Sequence, residues 1–197
     1  MPFHKYLAEL LGAFTLTFAV LLTTALQAPL STPVAAALTL GLFVYTIGPL
    51  SGAHLNPAVT LGMMSIRKIS GHDAAFYVFC QAIGASLALF VSRAILAEPV
   101  RIVAENSLGA GLAEALGAFF LAFAVAAATA KKVPAEASGL AVGGSLLLGI
   151  TLASSYSAGV LNPAVALGLS ALNLAYGIGP IVGAVAGAWA FTFLYER

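Results

Sequence analysis

The sequence predicts an all-α membrane protein with six transmembrane helices and two re-entrant half-helices, arranged as two inverted repeats. The first observation behind this prediction is composition: of 197 residues, 61% are hydrophobic and 8% are charged, whereas soluble domains have about 25% charged residues. The second is a set of six long apolar stretches. The third is a tripeptide, Asn56-Pro57-Ala58, that returns as Asn162-Pro163-Ala164 in the second half of the chain.

Six stretches are long enough to cross about 30 Å of hydrocarbon as α-helices. The first resembles a signal peptide, because Lys5 precedes its apolar run. Its near-copy at residues 113 to 125 is internal, so we interpret the first stretch as a retained helix. The predicted spans cover residues 6 to 27, 33 to 50, 72 to 96, 109 to 130, 136 to 155 and 176 to 195.

Two further apolar segments are too short to cross the membrane. They follow the two tripeptides, at residues 57 to 66 and 163 to about 172. About ten residues at a rise of 1.5 Å give about 15 Å, which is half of the hydrocarbon thickness. Irregular backbone at that depth is tolerated only where it is buried in protein or lines a watery cavity. We therefore expect two half-helices that meet at the midplane from opposite faces.

The chain is predicted to consist of two homologous halves. Residues 8 to 14 nearly repeat as residues 113 to 119, an offset of 105, and Asn162 follows Asn56 by 162 − 56 = 106 residues. Repeat one is expected to cover residues 1 to about 106, and repeat two about 107 to 197. Three spans per half is an odd number, so the second half must enter the membrane from the opposite side. Inverted repeats of this kind are common among membrane transport proteins.

The distribution of Lys and Arg predicts the orientation, because cytoplasmic loops carry an excess of these residues. With six spans, one side carries Arg101 beside Glu98 and Glu105. The other side carries Lys5, Arg67, Lys68, Lys131, Lys132 and Arg197. Both termini are therefore expected to be cytoplasmic, and the short loops favour a prokaryotic inner membrane.

Each tripeptide has the chemistry of a helix start. Asn is among the best N-cap residues and Pro is favoured at the first helical position, while Ala lets two helix starts abut. Two opposed N-termini would each present about half a positive elementary charge at the membrane centre. The amides of Asn56 and Asn162 would donate hydrogen bonds to a passing molecule. A single Asn-Pro usually only begins a helix, but two copies at repeat-related positions predict a filter for neutral molecules.

The motifs resemble those of the aquaporin family of water and glycerol channels. The resemblance rests on Ser51-Gly52-Ala53-His54-Leu55-Asn56-Pro57-Ala58-Val59-Thr60, paired with Ala158-Gly159-Val160-Leu161-Asn162-Pro163-Ala164, and it covers essentially the whole chain. It implies a lipid-embedded channel for water or small neutral solutes, with no cofactor. It also implies a homotetramer in which each protomer has its own pore.

One departure from that family concerns the outer selectivity ring. Family members usually carry Arg directly after the second Asn-Pro-Ala, where this chain has Val165, just as Val59 follows the first. An ungapped count places the other three ring positions at Ala36, Ile150 and Gly159. The prediction is a wider, less polar constriction than that of a strict water channel. We therefore expect glycerol, urea, ammonia or hydrogen peroxide to pass, with water as a further candidate.

Three more residues receive roles from the resemblance. Glu9 and Glu114 are repeat-related carboxylates within spans, where such groups are costly, and they are expected to accept backbone hydrogen bonds from the adjacent re-entrant loop. Snorkelling toward an interface is the alternative. His54 is expected at the cytoplasmic pore entrance as a neutral pore-lining donor, although a pH-sensitive gate is conceivable. Arg101 is expected to be a solvated loop residue, and the alternative is that it folds into the mouth and replaces the missing charge.

Several functional classes lack support in the sequence. A net charge of +1 gives no basic stripe for nucleic acid, and Cys80 with three scattered His gives neither a disulfide nor a metal site. No nucleophile, base and orienting group occur at useful spacing, so an enzyme is not expected. Two alternatives stay open: an alternating-access transporter, since inverted repeats with broken helices also occur there, and a non-conducting membrane scaffold of the same fold.

Overall fold

A computed structural model describes residues 3–26, 28–96, 98, 100 and 102–195 of the chain. Within these residues the protein consists of eight α-helices and contains no strand. The helices are α1 (His4–Ala25), α2 (Thr32–Ser51), α3 (Pro57–Ser65), α4 (Gly71–Ile95), α5 (Leu108–Thr129), α6 (Ala135–Ala153), α7 (Pro163–Gly168) and α8 (Leu174–Tyr195).

The six long helices are apolar enough to cross a membrane, which confirms the predicted fold class. Their boundaries lie within two residues of the predicted ones, because the lengths of the apolar runs fix them. Local signals reinforce the starts: the Ser70 and Ser107 hydroxyls accept backbone hydrogen bonds from Asp73 and Ala110 at the beginnings of α4 and α5. The chain is an integral, multi-pass membrane protein.

The second half-helix is shorter than predicted. It ends at Gly168 and does not continue to about Leu172. Ser170 adopts a left-handed conformation with φ 55°, and the Ala171 N–H bonds the carbonyl of Ala166, which terminates the helix. In the first half, Arg67 with φ 59° ends α3 in the same way. From the capping Asn to the left-handed residue that ends the helix, the chain covers 170 − 162 = 8 residues in α7 and 67 − 56 = 11 in α3. Helix α7 is therefore about one turn shorter.

The helices pack as two related sets. Helix α1 packs against α2 and α4 just as α5 packs against α6 and α8. The half-helices cross over, because α3 packs against α8 of the other half and α7 packs against α4. Small residues allow the closest contacts: a Cβ on Gly183 would collide with the carbonyl oxygen of Ala115. The short helices are therefore held in the centre by both halves.

The two faces of the bundle are identified by contacts near the helix ends. On the terminal face, where α1 starts and α8 ends, Lys5 pairs with Asp73 at 2.8 Å and the Lys132 ammonium lies 5.7 Å from the centre of the Tyr195 ring. We call the other end the opposite face. Arg93 lies in the last turn of α4, so the opposite face has a basic residue that the charge count from the sequence left out.

Candidate functional site

The two Asn residues cap the half-helices. Asn56 has extended backbone, with φ −154°, and its Oδ1 accepts a hydrogen bond of 2.8 Å from the Ala58 N–H. The Oδ1 of Asn162 accepts from the N–H groups of Ala164 and Val165 at 2.9 and 3.3 Å. Pro57 and Pro163 open the helices, where a backbone N–H would lack a partner. The local geometry is therefore that of an N-cap followed by Pro.

The same amides join the two halves of the protein. The Asn56 Nδ2 donates to the carbonyl of Leu161, and the Asn162 Nδ2 donates to the carbonyl of Leu55, both at 2.9 Å. Each amide nitrogen carries two hydrogens, so one hydrogen of each remains after these crossed bonds. The two Asn side chains face one cavity, and the residues are 2% and 3% exposed. The starts of α3 and α7 therefore meet at one point inside the bundle.

The loops before the half-helices are strained at matching positions. Ala53 and Leu55 have φ angles of 49° and 51°, and Gly159 and Leu161 have 62° and 57°. A left-handed conformation costs a residue other than Gly roughly 1–2 kcal/mol. The matching positions differ by 159 − 53 = 106 and 161 − 55 = 106 residues. Each loop therefore needs strong fixed partners.

Glu9 supplies these partners in the first half. Its side chain is fully buried, and Oε1 accepts hydrogen bonds from Ser51 Oγ at 2.7 Å and the His54 N–H at 2.9 Å. Oε2 accepts from the Leu55 N–H and from Gln81 Nε2, both at 2.7 Å. One carboxyl group thus holds two consecutive backbone donors of the strained loop.

Glu114 occupies the corresponding place in the second half. It is also fully buried, and it accepts from Ser157 Oγ at 2.8 Å, from the Val160 N–H at 2.9 Å and from the Leu161 N–H at 2.5 Å. A tyrosine hydroxyl holds each loop from the other side. Tyr77 donates to the Ser51 carbonyl at 2.8 Å, and the Tyr176 hydroxyl accepts from the Ala158 N–H at 2.8 Å.

The first half contains a polar cluster that the sequence pattern does not predict. Gln81 Nε2 donates to Thr60 Oγ1 at 3.0 Å, and that hydroxyl lies 3.1 Å from the His54 Nδ1. Positions 160 and 166, which correspond to His54 and Thr60, hold Val and Ala. The sequence feature that points to this cluster is Gln81 itself, because it lies in the middle of a predicted span, where an amide without a hydrogen-bond partner is costly.

A cavity of about 250 Å³ opens toward the opposite face and has the Asn pair in its wall. The four residues of the predicted ring all line it, together with His54. Most of its lining is apolar. The residues that line it are Leu16, Val20, Thr24, Thr32, Pro33, Ala36, Leu40, His54, Asn56, Ile102, Leu121, Leu146, Ile150, Ser154, Ala158, Gly159, Val160, Asn162, Val165 and Leu169. Arg101 lies outside the described residues.

A second recess, of about 710 Å³, lies at the terminal face between α2, α5 and α6. Lys131 and Pro134 line its rim, and Val44, Gly52 and Val142 line its inner part. It shares no lining residue with the first cavity. Across the described part of the chain, no three His, Cys, Asp or Glu residues are grouped to hold a metal ion.

Comparisons with known proteins agree with this architecture. The family described as Major intrinsic protein matches residues 2–191. Aquaporin NIP1-1 of Oryza sativa subsp. japonica is 32% identical over 98% of this chain and 75% of its own length. The probable aquaporin AqpM of Archaeoglobus fulgidus is 33% identical over 82% of this chain and 74% of its own. The X-ray structure of the aquaglyceroporin from Plasmodium falciparum superposes with a TM-score of 0.68 at 25% identity, over 98% and 95% of the two chains.

Proposed function

Because the chain belongs to the major intrinsic protein family, we propose that it is a passive channel for small uncharged solutes and that it excludes protons and cations. The relatives are aquaporins, which are channels and not enzymes. The solutes proposed are glycerol, urea, ammonia and hydrogen peroxide, with water as a further candidate. The observation that carries the proposal is the cavity that combines the Asn pair with a ring of small and apolar residues.

Exclusion of cations is proposed to come from the half-helix starts. The N-termini of α3 and α7 meet where Asn56 and Asn162 cross-link the halves, and each carries about half a positive charge. The remaining hydrogen of each amide is available to a neutral acceptor. Beside these two amides a cation would lose its hydration shell and face hydrogen-bond donors, so it would meet a barrier that a neutral solute does not.

The solute class is proposed from the ring of Ala36, Ile150, Gly159 and Val165. None of these side chains has a polar group, so a solute in the ring finds no side-chain replacement there for lost water contacts, at about 1–3 kcal/mol per unpaired group. Small side chains offset this cost because they leave room for a partly hydrated solute. The balance favours small uncharged molecules over strict selection of water.

Stopped-flow light scattering of proteoliposomes under water, glycerol and urea gradients tests this proposal. We expect linear, bidirectional flux of glycerol or urea above that of empty liposomes. The matched pair of variants is Ala36→Trp, which fills the cavity, and Leu38→Trp, which adds the same side chain at a 51% exposed site on α2. Ala36→Trp should lower the flux at least tenfold and Leu38→Trp should not.

Three other outcomes would contradict the proposal. Flux of water alone would contradict the solute class. Saturable uptake coupled to an ion gradient would indicate an alternating-access transporter, and zero flux of every neutral solute would indicate a scaffold.

The proposed location is a membrane with both termini on its cytoplasmic side. Lys5, Arg67, Lys68, Lys131 and Lys132 support this orientation, with Arg93 as a basic residue at the opposite face. A prokaryotic inner membrane was expected from the short loops, but plant relatives such as Aquaporin NIP1-1 do not support it. In a Cys80→Ser background, Lys132→Cys should react with an impermeant thiol reagent only from the cytoplasmic side.

A homotetramer is the proposed assembly. Helices α2 and α6 expose apolar side chains outside the bundle, among them Leu38, Leu42, Leu140 and Leu148. Such a surface suits lipid or a neighbouring protomer. Native mass spectrometry of the detergent-solubilised protein should give four chains per particle, and a monomer would contradict this part of the proposal.

A further inference from the structure

An apolar segment separates the two cavities. The cavity at the opposite face and the recess at the terminal face share no lining residue, and their nearest lining residues lie one helical turn apart on three helices. All six are aliphatic, so a solute that crosses between the cavities passes a wall without polar side chains on these helices. The pairs are Leu40 and Val44 on α2, Leu121 and Val125 on α5, and Leu146 and Val142 on α6.

The His54 imidazole lies close to both cavities. His54 lines the first cavity, while Gly52 lines the second. The two residues are close, because a Cβ on Gly52 would lie 3.2 Å from the His54 Nε2. Among the described residues, only the other ring nitrogen, Nδ1, has a hydrogen-bond partner in the protein. The Nε2 atom is therefore the polar side-chain group placed between the cavities.

The partners of Thr60 determine which nitrogen of His54 carries the proton. Thr60 Oγ1 lies 3.0 Å from the Asn56 carbonyl oxygen, which can only accept, and 3.0 Å from Gln81 Nε2, which can only donate. A hydroxyl has one hydrogen and two acceptor sites. If its hydrogen goes to Asn56 and Gln81 fills one site, the remaining site faces the His54 Nδ1 at 3.1 Å. Nδ1 must then be the donor.

We propose that Thr60, fixed by Gln81, holds neutral His54 with its proton on Nδ1, so that Nε2 accepts a hydrogen bond from each solute that crosses between the cavities. Thr60 and Gln81 are positioning residues, and His54 is the selecting group. This inference rests on the proposed channel function, and it reverses the expectation that His54 is a donor. The solute class it names is small neutral molecules that carry an N–H or O–H group.

The reverse arrangement satisfies fewer groups. If the Thr60 hydroxyl donated to Nδ1, its oxygen would face the Asn56 carbonyl oxygen at 3.0 Å without a hydrogen between them. The helical N–H of Thr60 already bonds that carbonyl at 3.0 Å, so the position of both oxygens is fixed by the start of α3. A solute would then meet donors at His54 and at both Asn amides. With Nδ1 protonated, the solute meets an acceptor at the His54 Nε2 and donors at the two Asn amides.

Nitrogen-15 NMR of histidine-labelled protein in liposomes tests the inference. The His54 signals are assigned by their loss in His54→Gln. We expect a protonated Nδ1 and an unprotonated Nε2 in the neutral ring. In Thr60→Val, which replaces the hydroxyl with a methyl group, the ratio of the Nε2–H form to the Nδ1–H form should rise about fivefold, the ratio that corresponds to about 1 kcal/mol for one hydrogen bond.

Thr46→Val is the matched control, because Thr46 also donates to a carbonyl four residues earlier in a helix, at 2.9 Å, but on an exposed surface. Its spectrum should equal that of the wild type. A wild-type His54 with its proton on Nε2 overturns the inference even if Thr60→Val does not fold, and so does an unchanged spectrum in folded Thr60→Val. The spectrum needs no transport, so zero flux with a protonated Nδ1 would refute the proposed function and the solute contact at Nε2, while the proton position set by Thr60 would stand.

Discussion

Replacing Glu9 with Leu should cost the protein a large part of its stability. Glu9 is fully buried and accepts four hydrogen bonds, two of them from the backbone N–H groups of His54 and Leu55. Leu has a similar size and no acceptor. The loop would keep its left-handed Leu55, with φ 51°, but would lose the group that holds it.

The magnitude follows from the donors left without a partner. The Ser51 hydroxyl and the Gln81 amide each lose Glu9 as an acceptor, but Gln81 keeps Thr60 and the hydroxyl can rotate its hydrogen toward another oxygen. The two backbone N–H groups lose their acceptor, at about 1–3 kcal/mol each for a buried unsatisfied group. The expected loss is about 2–6 kcal/mol, against a total of about 5–15 kcal/mol for a typical domain. Glu9→Gln keeps one acceptor oxygen and should lose less.

The free energy of unfolding is measured by denaturant titration in detergent, followed by far-ultraviolet circular dichroism, together with the monodisperse yield from size-exclusion chromatography. Glu136→Leu is the control, because Glu136 is an exposed residue in the first turn of α6 and its removal should cost less than about 1 kcal/mol. If Glu9→Leu unfolds within about 0.5 kcal/mol of Glu136→Leu, the carboxyl group does not hold the loop.

Two other substitutions test the ring and the helix packing. Val165→Arg adds donors and bulk to the cavity beside Gly159, so glycerol and urea flux in proteoliposomes should fall at least tenfold more than water flux; unchanged size selectivity would show that the ring is assigned wrongly. Gly183→Ala should strongly lower the midpoint of thermal unfolding, because its Cβ would collide with the Ala115 carbonyl. Gly144→Ala has open space around its Cβ and should leave the midpoint within a few degrees of the wild type.

The sequence predicts those parts of the fold that depend on local chemistry. Span boundaries follow from apolar run lengths, and the starts of α3 and α7 follow from the capping of Asn56 and Asn162. An ungapped count from the motifs also identifies four residues that line the cavity, namely Ala36, Ile150, Gly159 and Val165. Their part in selectivity stays a prediction.

The remainder depends on contacts between distant segments. Helix α7 ends early at a point where it packs closely against α1, since a Cβ on Gly168 would collide with the Thr17 methyl group. The offset between the repeats also changes after the half-helices. The hydroxyls of Tyr77 and Tyr176 each bond the backbone of a loop before a half-helix, and the two residues differ by 176 − 77 = 99 positions, not 106. Gln81 meets Thr60 across 21 residues of chain, and the sequence pattern does not predict that meeting.

The crossed amide bonds impose an order on biosynthesis. When the first three helices have left the ribosome, the Asn56 amide still lacks its acceptor, because the Leu161 carbonyl is translated 105 residues later. Until then, α3 has no neighbour from the second repeat to hold it within the lipid. Helix α3 should therefore reach its final packing only after α8 has been synthesised. In a nascent chain stalled before residue 161, α3 should be accessible to proteases.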